Sequence, residues 1–217
     1  MSRTKPVAMP PAQRAAIFVD KDGTLVDNVP YNVDPALLRF RPGAAQAMAA
    51  LSRRGFDIVI VTNQSGLARG LFTLDELLTL RDALYQRLLD ASGVRLRGFL
   101  FCPHGVDADG RPLCVCRKPL PGMLHEARDM YGIDLQRSWM IGDTLDDVQA
   151  GHHAGCRSIL YDSGGETLWR AGPGREPFAR TTDWSAVEAI IARDGPPGQV
   201  PHPCTGRAAF AGRASLP

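Results

Sequence analysis

Two acids one residue apart, Asp20 and Asp22, close a run of five small, β-branched and aromatic residues (15–19) and are followed by Gly23 and Thr24. Carboxylates so placed repel each other unless a cation lies between them or one of them holds a proton. Mg²⁺ suits such a pair, because it takes carboxylate and carbonyl oxygen and keeps waters that a phosphate can replace. Asp-Gly is also a common way to leave a strand, a reading that covers Asp22-Gly23 but not the whole string. Further on, Thr62-Asn63-Gln64-Ser65-Gly66 offers hydroxyl and amide donors to phosphate oxygens, or alternatively an N-cap for the next element. Arg117-Lys118 supplies two adjacent cations, which would neutralise phosphate or else sit solvated at the end of a loop. Asp143, Asp146 and Asp147 follow another apolar run.

A second constellation binds softer metals. Cys102-Pro103-His104, nine intervening residues, then Cys114-Val115-Cys116 places four ligands in two close pairs on a polar, Gly- and Asp-containing loop. Cys102, His104, Cys114 and Cys116 would complete a tetrahedral Zn²⁺ shell and leave no position for substrate, the mark of a structural site that pins its loop. Unliganded core cysteines fit poorly, since the segment offers no core to enter.

Chemistry of this kind needs rigid elements behind it. Strands are expected at 15–19, 57–61, 98–101, 138–141 and 158–161, the first two apolar enough for burial on both faces of a sheet. Helices are expected from Pro42 to about Arg54, from Thr73 with a capping sequence to about Ala91, from Pro121 to Tyr131 with Gly132 as the stop, through Ala154, and near 184–192. Strands alternating with helices predict an α/β fold with a parallel sheet and helices on both faces. In such a sheet ligands bind at the carboxyl ends of the strands, which is where the acids and hydroxyls fall. Lys21 should alternate away from that site, in keeping with strand geometry. The proline-punctuated loop over 25–41 would lie over the site, with Asn28, Val29, Pro30 and Tyr31 placed to touch substrate, or would simply connect.

At 217 residues, 44% hydrophobic and 22% charged, the chain has the size of one globular domain. A loosely held lead-in is expected over 1–14, the folded domain over 15–194 with the zinc loop at 102–118, and a tail over 195–217, where four Gly and five Pro fall in 23 residues. His202 and Cys204 in that tail could chelate metal but form a lone pair. Residues 15–194 carry 20 basic against 23 acidic side chains, an acidic balance that argues against nucleic acid as the partner. No run is long enough to span a membrane and the first 14 residues lack a signal-peptide core, so a cytoplasmic monomer is expected, with its cysteines reduced.

The string Asp20-Lys21-Asp22-Gly23-Thr24, with Thr62, Lys118 and Gly142-Asp143-x-x-x-Asp147 after it, resembles the four motifs of the haloacid dehalogenase (HAD) superfamily, in order over residues 15–161. The resemblance implies a Rossmann-like HAD fold. It makes Asp20 the nucleophile, Asp22 the general acid/base, and Thr62 and Lys118 the phosphate-stabilising residues. Mg²⁺ would be held by Asp20, Asp22 and Asp143, with Asp147 behind. Thr62-Asn63-Gln64-Ser65-Gly66-Leu67-Ala68-Arg69-Gly70, together with the Cys/His loop and Arg117-Lys118-Pro119, is similar to the heptose 1,7-bisphosphate 7-phosphatases and to the related histidinol-phosphate phosphatases. These are capless enzymes with a structural zinc loop. That family implies a small phosphorylated sugar as substrate, a place in lipopolysaccharide biosynthesis, and a pocket shaped by Asn28, Val29, Pro30, Tyr31, Asn63, Gln64, Ser65, Arg69, Arg117 and Thr144. Such heptose phosphatases often carry lysine where Thr144 stands. Histidinol phosphate is the alternative substrate; a nucleic-acid 3′-phosphatase and a non-catalytic zinc-stabilised binding protein are more distant ones.

Overall fold

The computed structural model describes residues 14–166 and 169–194. The expected tail, with His202 and Cys204, and all of the lead-in but Arg14 lie outside the described residues. Among the described residues, six parallel strands form one sheet in the order β3-β2-β1-β4-β5-β6. They are β1 (Ala16–Val19), β2 (Asp57–Asn63), β3 (Gly98–Cys102), β4 (Trp139–Gly142), β5 (Arg157–Tyr161) and β6 (Ala179–Thr181). The described residues also form the helices α1 (Ala44–Arg53), α2 (Leu74–Ser92), α3 (Gly122–Tyr131), α4 (Leu145–Ala154) and α5 (Trp184–Asp194).

The apolar run of β1 is the middle of this sheet, and all four of its residues are buried. Side chains alternate across it, as strand geometry requires. Ile17 and Val19 pack with α1, α2 and α5, while Ala16 and Phe18 pack with α3 and α4. A strand covered on both sides cannot tolerate the polar alternation of a half-exposed sheet, which is why the run reads as continuous hydrophobicity. Chain order sets the edge at which a ligand would bind. From β1 the chain steps through β2 to β3, then returns so that β4 lies on the other flank of β1. Connections on opposite faces part at the carboxyl end of β1, the place where sheets of this kind bind ligands.

Caps place the helices where their sequences indicate. Thr73 accepts from the backbone N–H of Glu76 while the Glu76 carboxylate accepts from that of Thr73, a reciprocal capping box. Gly132 ends α3 in the left-handed conformation. Two details differ from expectation. Pro42 does not open α1: Gly43, at φ 80°, makes the turn and is the N-cap, so the helix starts at Ala44. The sheet has one strand more than the five expected, because Ala179–Thr181 adds an edge strand beside β5. Three residues of mixed exposure carry too little periodicity to announce a strand. Among the described residues no helix is long and apolar enough to cross a membrane.

Candidate active site and metal centre

β1 ends at Val19, and the chain turns sharply under backbone hydrogen bonds from Leu25 and Val26 to the Lys21 carbonyl. Asp20 sits at the start of this turn, 6% exposed, its backbone N–H donating to the Ile141 carbonyl of β4 at 2.9 Å. From the loop after β3, Lys118 reaches back into the sheet. Its ammonium pairs with Asp20 Oδ1, lies 2.6 Å from Asp147 Oδ1 and donates to the Val61 carbonyl at 3.0 Å. One buried amine thus ties the end of β1, the end of β2 and the first turn of α4 together.

Asp143 leaves β4 and is held from two sides. Thr24 Oγ1 donates to its Oδ1 at 3.4 Å, and Ser163 Oγ, from the loop after β5, donates to its Oδ2 at 3.1 Å. Gly23 makes that approach possible: a Cβ there would collide with the Asp143 carboxylate, and φ is 83°. Asp147 closes a second capping box, taking the backbone N–H and hydroxyl of Thr144 on Oδ2. Gly142 leaves room for that carboxylate, since a Cβ at that position would overlap it.

The electrostatics follow from crowding in a dry place. Burial drives the Asp20 pKa well above the ordinary aspartate value; Lys118 opposes this, and the charges of Asp147, Asp143 and Asp22 add to it. Asp143 is raised to about 6 by burial and by Asp147, with Ser163 and Lys118 acting against the rise. Burial works against the Lys118 ammonium, but Asp147 and Asp20 outweigh it and keep that amine protonated. Asp20, Asp22, Asp143 and Asp147 face the ammoniums of Lys118 and Lys21. With all four carboxylates ionised against two ammoniums, two negative charges would be in excess, and an oxygen-seeking divalent cation would offset them.

Asp22 is clamped. Lys21 Nζ lies 2.8 Å from its Oδ1, and Gln64 Nε2 donates to its Oδ2 at 3.0 Å and to Thr62 Oγ1 at 2.9 Å. The expectation that Lys21 points away does not hold, because alternation belongs to a strand and β1 has ended two residues earlier. Gln64, 5% exposed, is turned inward. Asn63 also looks inward, its Oδ1 accepting from the Lys118 backbone N–H at 3.1 Å and its Nδ2 donating to the Lys118 carbonyl at 3.2 Å. It fixes the backbone from which the Lys118 side chain enters the site.

The zinc candidates come together. One ligand atom each from Cys102, His104, Cys114 and Cys116 lies within 4.8 Å of the others, so the four could hold a metal ion. Cys102 is the last residue of β3 and fully buried, so the cluster is anchored on the sheet. Arg117 belongs to the same loop, its guanidinium donating to the His104 carbonyl at 3.2 Å and its backbone N–H to Cys114 Sγ at 3.3 Å.

Asn28, Pro30 and Tyr31 are exposed and Val29 half-buried on the loop between β1 and α1. Tyr31, at φ 55°, meets the other expected pocket loop: Arg69 donates to its hydroxyl at 2.6 Å. Ser65 is half-buried, and Thr144 is engaged as the α4 cap. Sequence reasoning missed Lys21 and Ser163, and gave Thr24 no role of its own. The signal for Ser163 was available, since Asp162-Ser163-Gly164 follows a parallel strand at the ligand-binding edge.

The HAD-hydrolase-like family model matches residues 115–178. A Yersinia pestis protein named D-glycero-beta-D-manno-heptose-1,7-bisphosphate 7-phosphatase is 44% identical over 181 residues, which is 82% of this chain and 96% of the relative. The protein of the same name from Escherichia coli strain K12 is 40% identical over 173 residues, 78% of this chain and 86% of that one. Among solved structures, the D,D-heptose 1,7-bisphosphate phosphatase of B. bronchiseptica, crystallised with magnesium and phosphate, superposes with a TM-score of 0.69 at 32% identity, covering 83% of this chain and 99% of its own.

Proposed function

Because the chain belongs to the D-glycero-beta-D-manno-heptose-1,7-bisphosphate 7-phosphatase family of HAD-type phosphatases, we propose that it removes the 7-phosphate of that sugar bisphosphate through an aspartyl-phosphate intermediate. The observation that carries the reading is the buried Lys118 ammonium spanning Asp20 and Asp147 at the carboxyl end of the central strand. A turn or a solvated basic pair needs no such arrangement, whereas a phosphate dianion approaching a carboxylate nucleophile does.

Asp20 attacks phosphorus in line; the P–O bond to the sugar breaks and the departing oxygen takes a proton from the Asp22 carboxyl. Water then attacks the aspartyl phosphate, giving a proton back to Asp22, and inorganic phosphate leaves with Asp20 restored. Lys118 and the Thr62 hydroxyl stabilise the equatorial oxygens. Asn63 does so by holding Lys118 in place. Asp20, the Asp22 backbone carbonyl and Asp143 would hold Mg²⁺, whose charge offsets the repulsion between carboxylate and phosphate. Asp147 serves by fixing Lys118. Substrate recognition falls to Arg117 on the metal-pinned loop and to Asn28, Val29, Pro30, Tyr31, Ser65 and Arg69 on the loops that the Tyr31–Arg69 contact brings together. Three thiolates and one imidazole suit a closed, structural Zn²⁺ site in that loop.

The test is phosphate release, with Mg²⁺ present, from the beta and alpha anomers of the heptose bisphosphate and from histidinol phosphate, compared by kcat/KM. Preference for the beta bisphosphate is expected. Preference for histidinol phosphate would overturn the substrate and leave the chemistry standing.

A further inference from the structure

Lys21 is 1% exposed, with its ammonium against a carboxylate that the mechanism needs to move protons. Taking an ammonium out of water costs several kcal/mol, and a buried ion pair seldom recovers more than it spends. An apolar side chain of the same length would fill the volume as well or better. The lysine is therefore a poor choice for stability, which makes its contact with Asp22 the feature to explain. Among the described residues Asp22 is its carboxylate partner.

On the other side of the same carboxylate, Gln64 spends both hydrogens of its amide, one on Asp22 Oδ2 and one on Thr62 Oγ1. Each Asp22 oxygen thus receives one donor and keeps a further lone pair for the proton in transit. The backbone beneath is equally fixed. Gly23 N–H donates to the Val26 carbonyl at 2.9 Å, and the Lys21 carbonyl accepts from both Leu25 and Val26. Asp22 is the exposed member of the group, its side chain 28% exposed against 2% for Lys21. A carboxylate on a short side chain has two free torsions, and reach and direction decide whether it can deliver a proton to the departing oxygen.

We infer that Lys21 and Gln64 are positioning residues for proton transfer: together they hold the Asp22 carboxyl in the one orientation that serves the sugar oxygen in the first step and water in the second. Both act through Asp22, with no contact to substrate. Lys21 differs in this from Lys118, whose ammonium faces the nucleophile. The inference rests on the reading of Asp22 as general acid/base, and it assigns Gln64 to Asp22 rather than to the substrate pocket.

Leaving-group chemistry separates the possibilities. p-Nitrophenolate departs without needing a proton, while a sugar alkoxide does not, so a misdirected acid harms only the second kind of substrate in the phosphorylation step. Lys21→Met, Lys21→Arg, Gln64→Leu and Asp22→Asn are to be compared in the full chain, as kcat/KM for the heptose bisphosphate and for p-nitrophenyl phosphate, alongside thermal unfolding. For Lys21→Met and Gln64→Leu we expect the sugar phosphate to lose about tenfold or more beyond the loss with p-nitrophenyl phosphate. KM should change little, Lys21→Met should unfold no earlier than wild type, and Lys21→Arg should recover part of the loss. Equal losses on both substrates, a loss confined to KM, or no loss at all in the folded variants would overturn the inference. Asp22→Asn locates the fault. If it splits the two substrates and the clamp variants do not, the clamp is wrong. If Asp22→Asn also leaves them in step, the general-acid reading itself fails and the clamp falls with it.

Discussion

At the scale of single residues, the site is a small group of charges held where water cannot screen them. Asp20 is the proposed nucleophile and also one of the anchors of Lys118, so its amide isostere separates chemistry from architecture. Asp20→Asn keeps the shape and a polar contact for the amine but cannot form an acyl phosphate. Turnover should drop by roughly a thousandfold or more with the unfolding temperature held, measured as phosphate release and by thermal melting. Activity near wild type would remove Asp20 from the mechanism. Gly23 makes a different point, because its role is to be absent. At φ 83° an alanine pays a backbone penalty of about 1–3 kcal/mol, and its Cβ pushes the Asp143 carboxylate out of place. Gly23→Ala should therefore lose both stability in denaturant and apparent Mg²⁺ affinity in activity titrations. A variant that loses stability alone would mean that Asp143 does not hold the metal.

At the scale of elements, the loop between β3 and α3 carries the Cys/His cluster that could hold a metal ion, and under the proposed function that metal pins the loop. Cys102 belongs to the core, while Cys114 and Cys116 pack only partly against it. The loop then delivers Arg117 and Lys118 directly. Cys114→Ser should bind less zinc and lower kcat/KM by about a hundredfold, because a displacement of about 1 Å at a positioned group costs that much, yet the sheet should melt nearly as before. Zinc content, kinetics and melting on one preparation check this; loss of the whole fold would show that the loop supports the core rather than the site. What could be read from sequence divides along the same line. Strands buried on both faces, helix caps such as Thr73–Glu76 and the ligand spacing of the loop are local patterns, and they were legible. Where the chain leaves its element the local rule stops, and Lys21 lies two residues past the end of β1. The same limit explains Gln64 and Asn63. Both read as phosphate donors because of their types, and both are occupied by partners, Asp22 and Lys118, that only the folded chain brings near.

At the scale of the molecule, the site joins segments that the sequence keeps far apart, from Asp20 on β1 to Ser163 after β5, with Trp184 of α5 donating to the Thr24 carbonyl at 3.1 Å behind them. The order of the sheet brings them together, and no single stretch of sequence carries that order. A ligand bound at this edge touches several parts of the fold at once and is absent from the unfolded chain, so its binding energy adds to stability. With phosphate at about a hundred times its dissociation constant, the gain is about 2.7 kcal/mol, or about 5–10 °C in melting temperature for a chain of this size. The charge balance sets the condition. Four carboxylates facing two ammoniums repel an anion, so phosphate alone should raise the melting temperature little, and Mg²⁺ with phosphate should raise it by more than the two separate shifts combined. In Lys118→Met the combined shift should collapse, because the remaining charges leave the bound anion without its buried partner. Equal shifts with and without Mg²⁺ would place the phosphate away from Asp20 and Asp143, and would take the metal out of this site.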